Sequence, residues 1–184
     1  MGRAIDHPAH VPSDAALRRV SAQIRSARIG ELFDYWKRKK GDLPMPFVED
    51  IVPDEIPHLM PYLVMFEVER GPERFRLESV GTHIHGMIQR DSTGGYLDEV
   101  FKSETLERLH TALHNLVTDR VPGHYRRRVY FAEHLRFLSY EALHLPLTRD
   151  GLQVDVAMSG VQFFFDRPSA QRQDAALDAC VPAI

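Results

Sequence analysis

Cysteine is almost absent from this 184-residue chain, Cys180 being the only one, so an internal disulfide and a cysteine-built metal site are both excluded. That scarcity suits a reducing compartment. No apolar run approaches the roughly 20 residues that cross a bilayer, and the opening Asp6, His7, Pro8, His10 and Pro12 are too polar for a secretory leader. The two absences lead us to expect a cytoplasmic protein with no membrane partner. An excess of either charge is also lacking. With 23 Lys and Arg against 26 Asp and Glu the formal net charge is -3, which leaves no basic field to hold nucleic acid. Glycines at phosphate-cradling spacing are missing, and Asp91-Ser92-Thr93-Gly94-Gly95 reads as a loop. Internal repeats and low-complexity stretches are missing as well.

Apolar residues are 43% and charged residues 27% of the chain, ordinary values for one globular domain with appended segments. Helical spacing begins after Ser13 or Asp14 as a cap, with Leu17, Val20, Ile24 and Ala27 on one stripe. Gly30 is read as an interruption before Leu32, Phe33, Tyr35 and Trp36, and Lys37 to Lys40 followed by Gly41 as the helix end. Leu43-Pro44-Met45-Pro46 cannot continue a helix, because proline lacks an amide donor and holds its predecessor extended. Residues 1–61 are thus assigned to an N-terminal helical extension and Pro-rich linker.

From Tyr62 the period shortens. Tyr62 to Glu69 and Phe75 to Val80 are read as a hairpin, Gly81 to Gln89 as a short helix, and Glu104 to Asp119 as the main helix, striped by Leu106, Leu109, Leu113, Leu116 and Val117. His124 to Phe131, Leu135 to Leu147 and Leu152 to Phe165 complete the pattern as strands. The expectation for residues 62–166 is an α+β domain, a five-stranded antiparallel sheet with helices on one face. Residues 167–184 read as a polar tail.

Leu32-Phe33-Asp34-Tyr35-Trp36, Pro44-Met45-Pro46 and Ile51-Val52-Pro53-Asp54-Glu55-Ile56-Pro57 are followed by Phe75-Arg76-Leu77, Val80-Gly81-Thr82, Gly94-Gly95-Tyr96-Leu97-Asp98 and Leu145-Pro146-Leu147. This series, over about Ile29 to Phe165, resembles a stand-alone bacterial PAS-like family with a Trp-containing helix and a Pro-rich entry segment. The resemblance implies a PAS fold and a non-catalytic sensory or ligand-binding module that signals through a partner. It implies no shared ligand, so haem and flavin both stay open as cofactors.

A cavity between sheet and helices would draw on Leu77, Ile84, Met87, Ile88, Leu97, Leu109, Leu113, Tyr125, Tyr140 and Met158, each of which equally suits plain core packing. Arg126, Arg127 and Arg128 lie on a strand where alternate side chains face opposite ways. The run reads as a solvated edge, although an inward arginine beside Tyr125 or Tyr140 would suit a ligand carboxylate. Ten histidines raise a metal reading. His110 and His114, four apart on a helix, are weak candidates. His83 and His85 suit a metal-dependent hydrolase together with that pair only if extended, because residues two apart on a helix point about 200° apart. A small metal-dependent hydrolase is therefore the alternative of another class. Within the non-enzymes the alternative is a pure interaction module, a homodimer joined through the apolar Leu17 to Trp36 helix, which must be covered by something.

Overall fold

The computed structural model describes residues 11–88, 92–101, 103–131 and 136–166; the reading of residues 167–184 as a tail lies outside them. Two helices, α1 (Asp14–Gln23) and α2 (Ala27–Lys40), precede strands β1 (Leu63–Glu69) and β2 (Arg74–Val80). Helices α3 (Thr82–Ile88), α4 (Leu97–Val100) and α5 (Ser103–Asp119) follow, then β3 (Gly123–Phe131), β4 (Arg136–Leu147) and β5 (Val156–Asp166). The strands form one antiparallel sheet in the order β2-β1-β5-β4-β3. The expected α+β class and five-stranded antiparallel sheet are present.

Local chemistry sets the element ends. The Ser13 hydroxyl accepts the Ala16 amide at 3.2 Å and the Ser26 hydroxyl accepts the Ile29 amide at 3.4 Å, so each serine satisfies a donor that its helix leaves orphaned. The break between α1 and α2 therefore falls at Ile24-Arg25-Ser26. Gly30, read from the sequence as the interruption, lies inside α2; a competent N-cap four residues earlier decides the matter. Gly41 at φ 51 ends α2.

At the other end of the chain, β5 begins at Val156 rather than at Leu152. The Asp150 carboxylate accepts the amides of Leu152 at 2.8 Å and Gln153 at 3.2 Å. An Asx-type turn thus competes successfully with strand extension.

The sheet is covered on both faces, not on one. On the first face lie Val64, Phe66, Val68, Phe75 and Leu77, roofed by α3 to α5, with His110 of α5 edge-on to Phe75 at 5.4 Å. The second face receives α2. Ile29, Leu32, Phe33, Tyr35 and Trp36 of that helix are buried, and the Trp36 indole donates to the Pro146 carbonyl at 3.0 Å. That carbonyl is free because β3 pairs with β4 only as far as His144.

Packing has no division at residue 61, since α2 and the sheet share one core. The apolar α2 face that the sequence assigned to a dimer partner is covered by this chain's own sheet.

Gly160 makes the approach of α2 close. A Cβ built there would lie 2.3 Å from Leu32 Cδ2 and 3.4 Å from Ile29 Cδ1, and both side chains are only 1% exposed. Gly160→Ala is expected to cost about 1–3 kcal/mol through overpacking. Gly86→Ala, with nothing within 4 Å of the added carbon in α3, is expected to add about 0.5–1 kcal/mol. Urea unfolding of the two variants reads both signs, and a neutral Gly160→Ala would contradict the packing of α2 described here.

Candidate ligand-binding site

Cross-strand pairing arranges the roofed face of β3, β4 and β5 as a grid. One row is Arg127, Tyr140 and Phe163; the next is Tyr125, Ala142 and Val161; the third is Gly123, His144 and Ser159, continued by Val64. Paired residues point to the same side, with Cβ atoms about 4.5–5.5 Å apart. Ala142 is consequently a small floor ringed by Tyr125, Tyr140, His144 and Val161. Gly123 matters here because the Tyr125 ring lies 3.0 Å from where its Cβ would be; this lets the ring lean to 5.4 Å from that of His144. Tyr140 and Phe163 stand 6.3 Å apart, and His83 of α3 packs 6.0 Å from Phe163 and 4.6 Å from Tyr62.

His144 is 4% exposed, and its Nδ1 lies 2.6 Å from Ser159 Oγ. Burial lowers its pKa to about 4, so the imidazole is neutral near pH 7. With Nδ1 engaged, Nε2 has no hydrogen-bond partner among the described residues, and the hydroxyls of Tyr125 and Tyr140 likewise have none. Burial raises the pKa of both phenols, against the opposing pull of Arg127. They are neutral, half-buried donors. Exposure rises along the grid, from His144 through the half-buried tyrosines to the exposed Arg127.

The same strand presents the opposite face to the N-terminal helices. Glu141, between Tyr140 and Ala142, is 0% exposed; its carboxylate accepts the Arg25 amide at 2.7 Å and the Ser26 amide at 2.8 Å and lies 2.7 Å from His124 Nε2. Burial pushes its pKa up, but the two amides and the imidazole outweigh that and hold the carboxyl below its ordinary value. Arg28 of α2 also bonds Gln162 of β5 on this face.

Of the residues expected in a pocket, Leu77, Ile84, Leu97 and Leu113 are buried members of the main core and Leu109 packs against it. Met87 is half-buried on α3, and the side chain of Ile88 lies outside the described residues. Tyr125 and Tyr140 flank the Ala142 floor. Met158 is placed elsewhere: two residues before Gly160 on β5, it faces α2, so strand parity removes it from the tyrosine face.

The histidines are dispersed. His83 and His85 lie on α3, with His85 3.4 Å from Thr93, while His114 bonds Glu73 at 2.8 Å and its ring stacks 6.5 Å from that of His110. Among the described residues no three His, Cys, Asp or Glu gather where they could hold a metal ion. The helical setting of His83 and His85 sends their side chains apart and withdraws the geometry that the hydrolase reading required. His110 and His114 are both exposed, unsuited to an apolar cofactor pocket.

Sequence reasoning missed Ala142, His144, Ser159, Glu141 and His124. Their grouping depends on the β4 and β5 register, which the irregular segment from Thr148 to Asp155 hides. A usable signal was Glu141 itself, a carboxylate at an apolar position of a strand otherwise reading Tyr140, Ala142, Leu143 and Leu145.

An antiparallel five-stranded sheet with a short-helix run and one long helix over one of its faces defines a class of small α+β domains. More particularly, the PAS domain family matches residues 24–160, and the chain belongs to that family. The match begins after α1, includes all of α2 and ends on β5. PAS domains are typically non-catalytic signalling modules, and no curated protein matches the chain. No helix among the described residues is long and apolar enough to cross a membrane.

The His144 shift has a definite sign in stability. The folded pKa of about 4 is below the ordinary 6.5, so between those values the unfolded chain binds the proton and the native state does not. Stability is therefore fully present above pH 6.5 and falls as the pH drops towards 4, by about 3 kcal/mol from this group. Urea midpoints across that range should drop for the wild type, with the slope flattened in His144→Gln. An identical slope in the two proteins would contradict a neutral buried imidazole.

Proposed function

We propose that the chain is a non-catalytic PAS sensory module that reads a small molecule over Ala142 and reports it through α1 and α2 to a signalling partner. One observation carries the reading. Strand β4 gives Tyr140, Ala142 and His144 to the roofed face and Glu141, between them, to the backbone amides that begin α2. A ligand that moves the first set by tenths of an ångström moves the second, because adjacent residues of a strand share one backbone. Such a ligand shifts the docking of α1 and α2 only to the extent that it binds the two arrangements unequally.

The partner is either a second copy of this chain or another protein that receives the N-terminal helices. With the apolar side of α2 on the sheet, a homodimer would use the outer side of α1 and α2, including the exposed Asp14, Arg18 and Arg19. In this reading the chain works as a bacterial module in the cytoplasm. The Nε2 of His144 and the phenols of Tyr125 and Tyr140, none of which has a hydrogen-bond partner among the described residues, favour a ligand over an empty interaction module, because they offer convergent polar groups on one face.

Native mass spectrometry of freshly purified protein, with its absorption spectrum, tests the assignment. The expected result is an added small-molecule mass on the wild type that is lost in Ala142→Leu, whose larger side chain fills the floor, at unchanged circular dichroism. Visible colour would identify haem or flavin as that mass. Bare protein in both cases, with no thermal shift from a panel of small metabolites, would overturn the sensor reading.

A further inference from the structure

The chemistry of the grid narrows the ligand, on the reading that the Ala142 floor is a sensor site. Three features are laid out in line along β4. At the inner end is a neutral imidazole with Nδ1 committed to Ser159 and Nε2 open. In the middle, the Ala142 methyl lies between Tyr125 and Tyr140, whose rings offer flat apolar surface. At the outer end stands Arg127, paired across the strands with Tyr140.

Arg127 is exposed and donates only to the Arg126 carbonyl, at 3.1 Å; it has no carboxylate partner among the described residues. It is also the only formal charge among the described side chains that β3, β4 and β5 present to this face. Arg108 of α5, which also acts on Tyr140, is already paired with Glu104. A guanidinium with free donors at the mouth favours a planar anion.

The span fixes the size. His144 and Tyr140 are four residues apart on a strand, about 13 Å at about 3.3 Å per residue. An aromatic ring with polar groups at opposite ends, plus a hydrogen bond at each end, spans a length of that order. An aliphatic acid would forgo the aromatic contacts, and a neutral aromatic would leave Arg127 unsatisfied.

We propose that this site binds a para-substituted aromatic carboxylate, its carboxylate on Arg127, its ring over Ala142 between Tyr125 and Tyr140, and its far polar atom on His144 Nε2. The interaction is reversible binding, with no bond made or broken.

Titration calorimetry of the full chain with 4-hydroxybenzoate, benzoate and 4-hydroxybenzamide tests it. The hydroxy acid is expected to bind at least about tenfold more tightly than the amide, the advantage of a charge-assisted contact. Arg127→Gln, at an exposed position, should erase that preference, and benzoate should be the weaker acid because it leaves His144 unmet. Equal binding of acid and amide, both abolished by Ala142→Leu, would overturn the anion assignment and leave the sensor reading standing. Binding of the acid unchanged by Arg127→Gln would overturn it too. No binding of any probe, with Ala142→Leu raising the thermal midpoint as simple core filling, would overturn both.

Discussion

The buried carboxylate of Glu141 is the contact on which the arrangement of this protein turns. An ionised group taken out of water costs several kcal/mol unless its lone pairs are met. Here they are met by the Arg25 and Ser26 amides and by the His124 ring. The amides are those of the residues that open α2, so satisfying the carboxylate and fixing the start of the helix are one event. Removing either side leaves a charge or two donors stranded. Helix α2 is in this sense integral to the domain, and the family match, which begins at residue 24 just before it, agrees with that.

From this contact follows the two-sided character of β4. Strand alternation obliges the neighbours of Glu141 to face the other way, and they are Tyr140 and Ala142, with His144 beyond. The face holding the helices is closed by apolar packing around Gly160, Ile29 and Leu32, and by the Trp36 indole on Pro146. The other face keeps polar atoms without partners among the described residues and a gradient of exposure. A conformational change confined to β4 is felt on both, because a close-packed interior transmits small displacements rather than absorbing them.

Much of this was legible in the sequence. Alternation and the leucine stripe located the hairpin, the long helix and the last strands, and the Trp-containing helix with its Pro-rich segment pointed to the family. Propensity misjudged the places where a side chain competes with the backbone. Ser26 as an N-cap overrode the glycine signal at Gly30, and the Asp150 carboxylate shortened β5. The site was less legible. Tyr125 and Tyr140 were found as aromatics on strands, but pairing His144 with Ser159 requires the register across an irregular turn. Placing Met158 required knowing which parity faces α2. Glu141 was readable as an anomaly; its partners, 115 and 116 residues away in sequence, were not.

Amide hydrogen exchange at Arg25 and Ser26 tests most directly whether β4 connects its two faces. In Ala142→Leu, whose added volume lies wholly on the tyrosine side, the connection predicts a several-fold change in protection of those two amides, with β2 unaffected. A change confined to α5 and β3, with Arg25 and Ser26 exchanging as in the wild type, would contradict it.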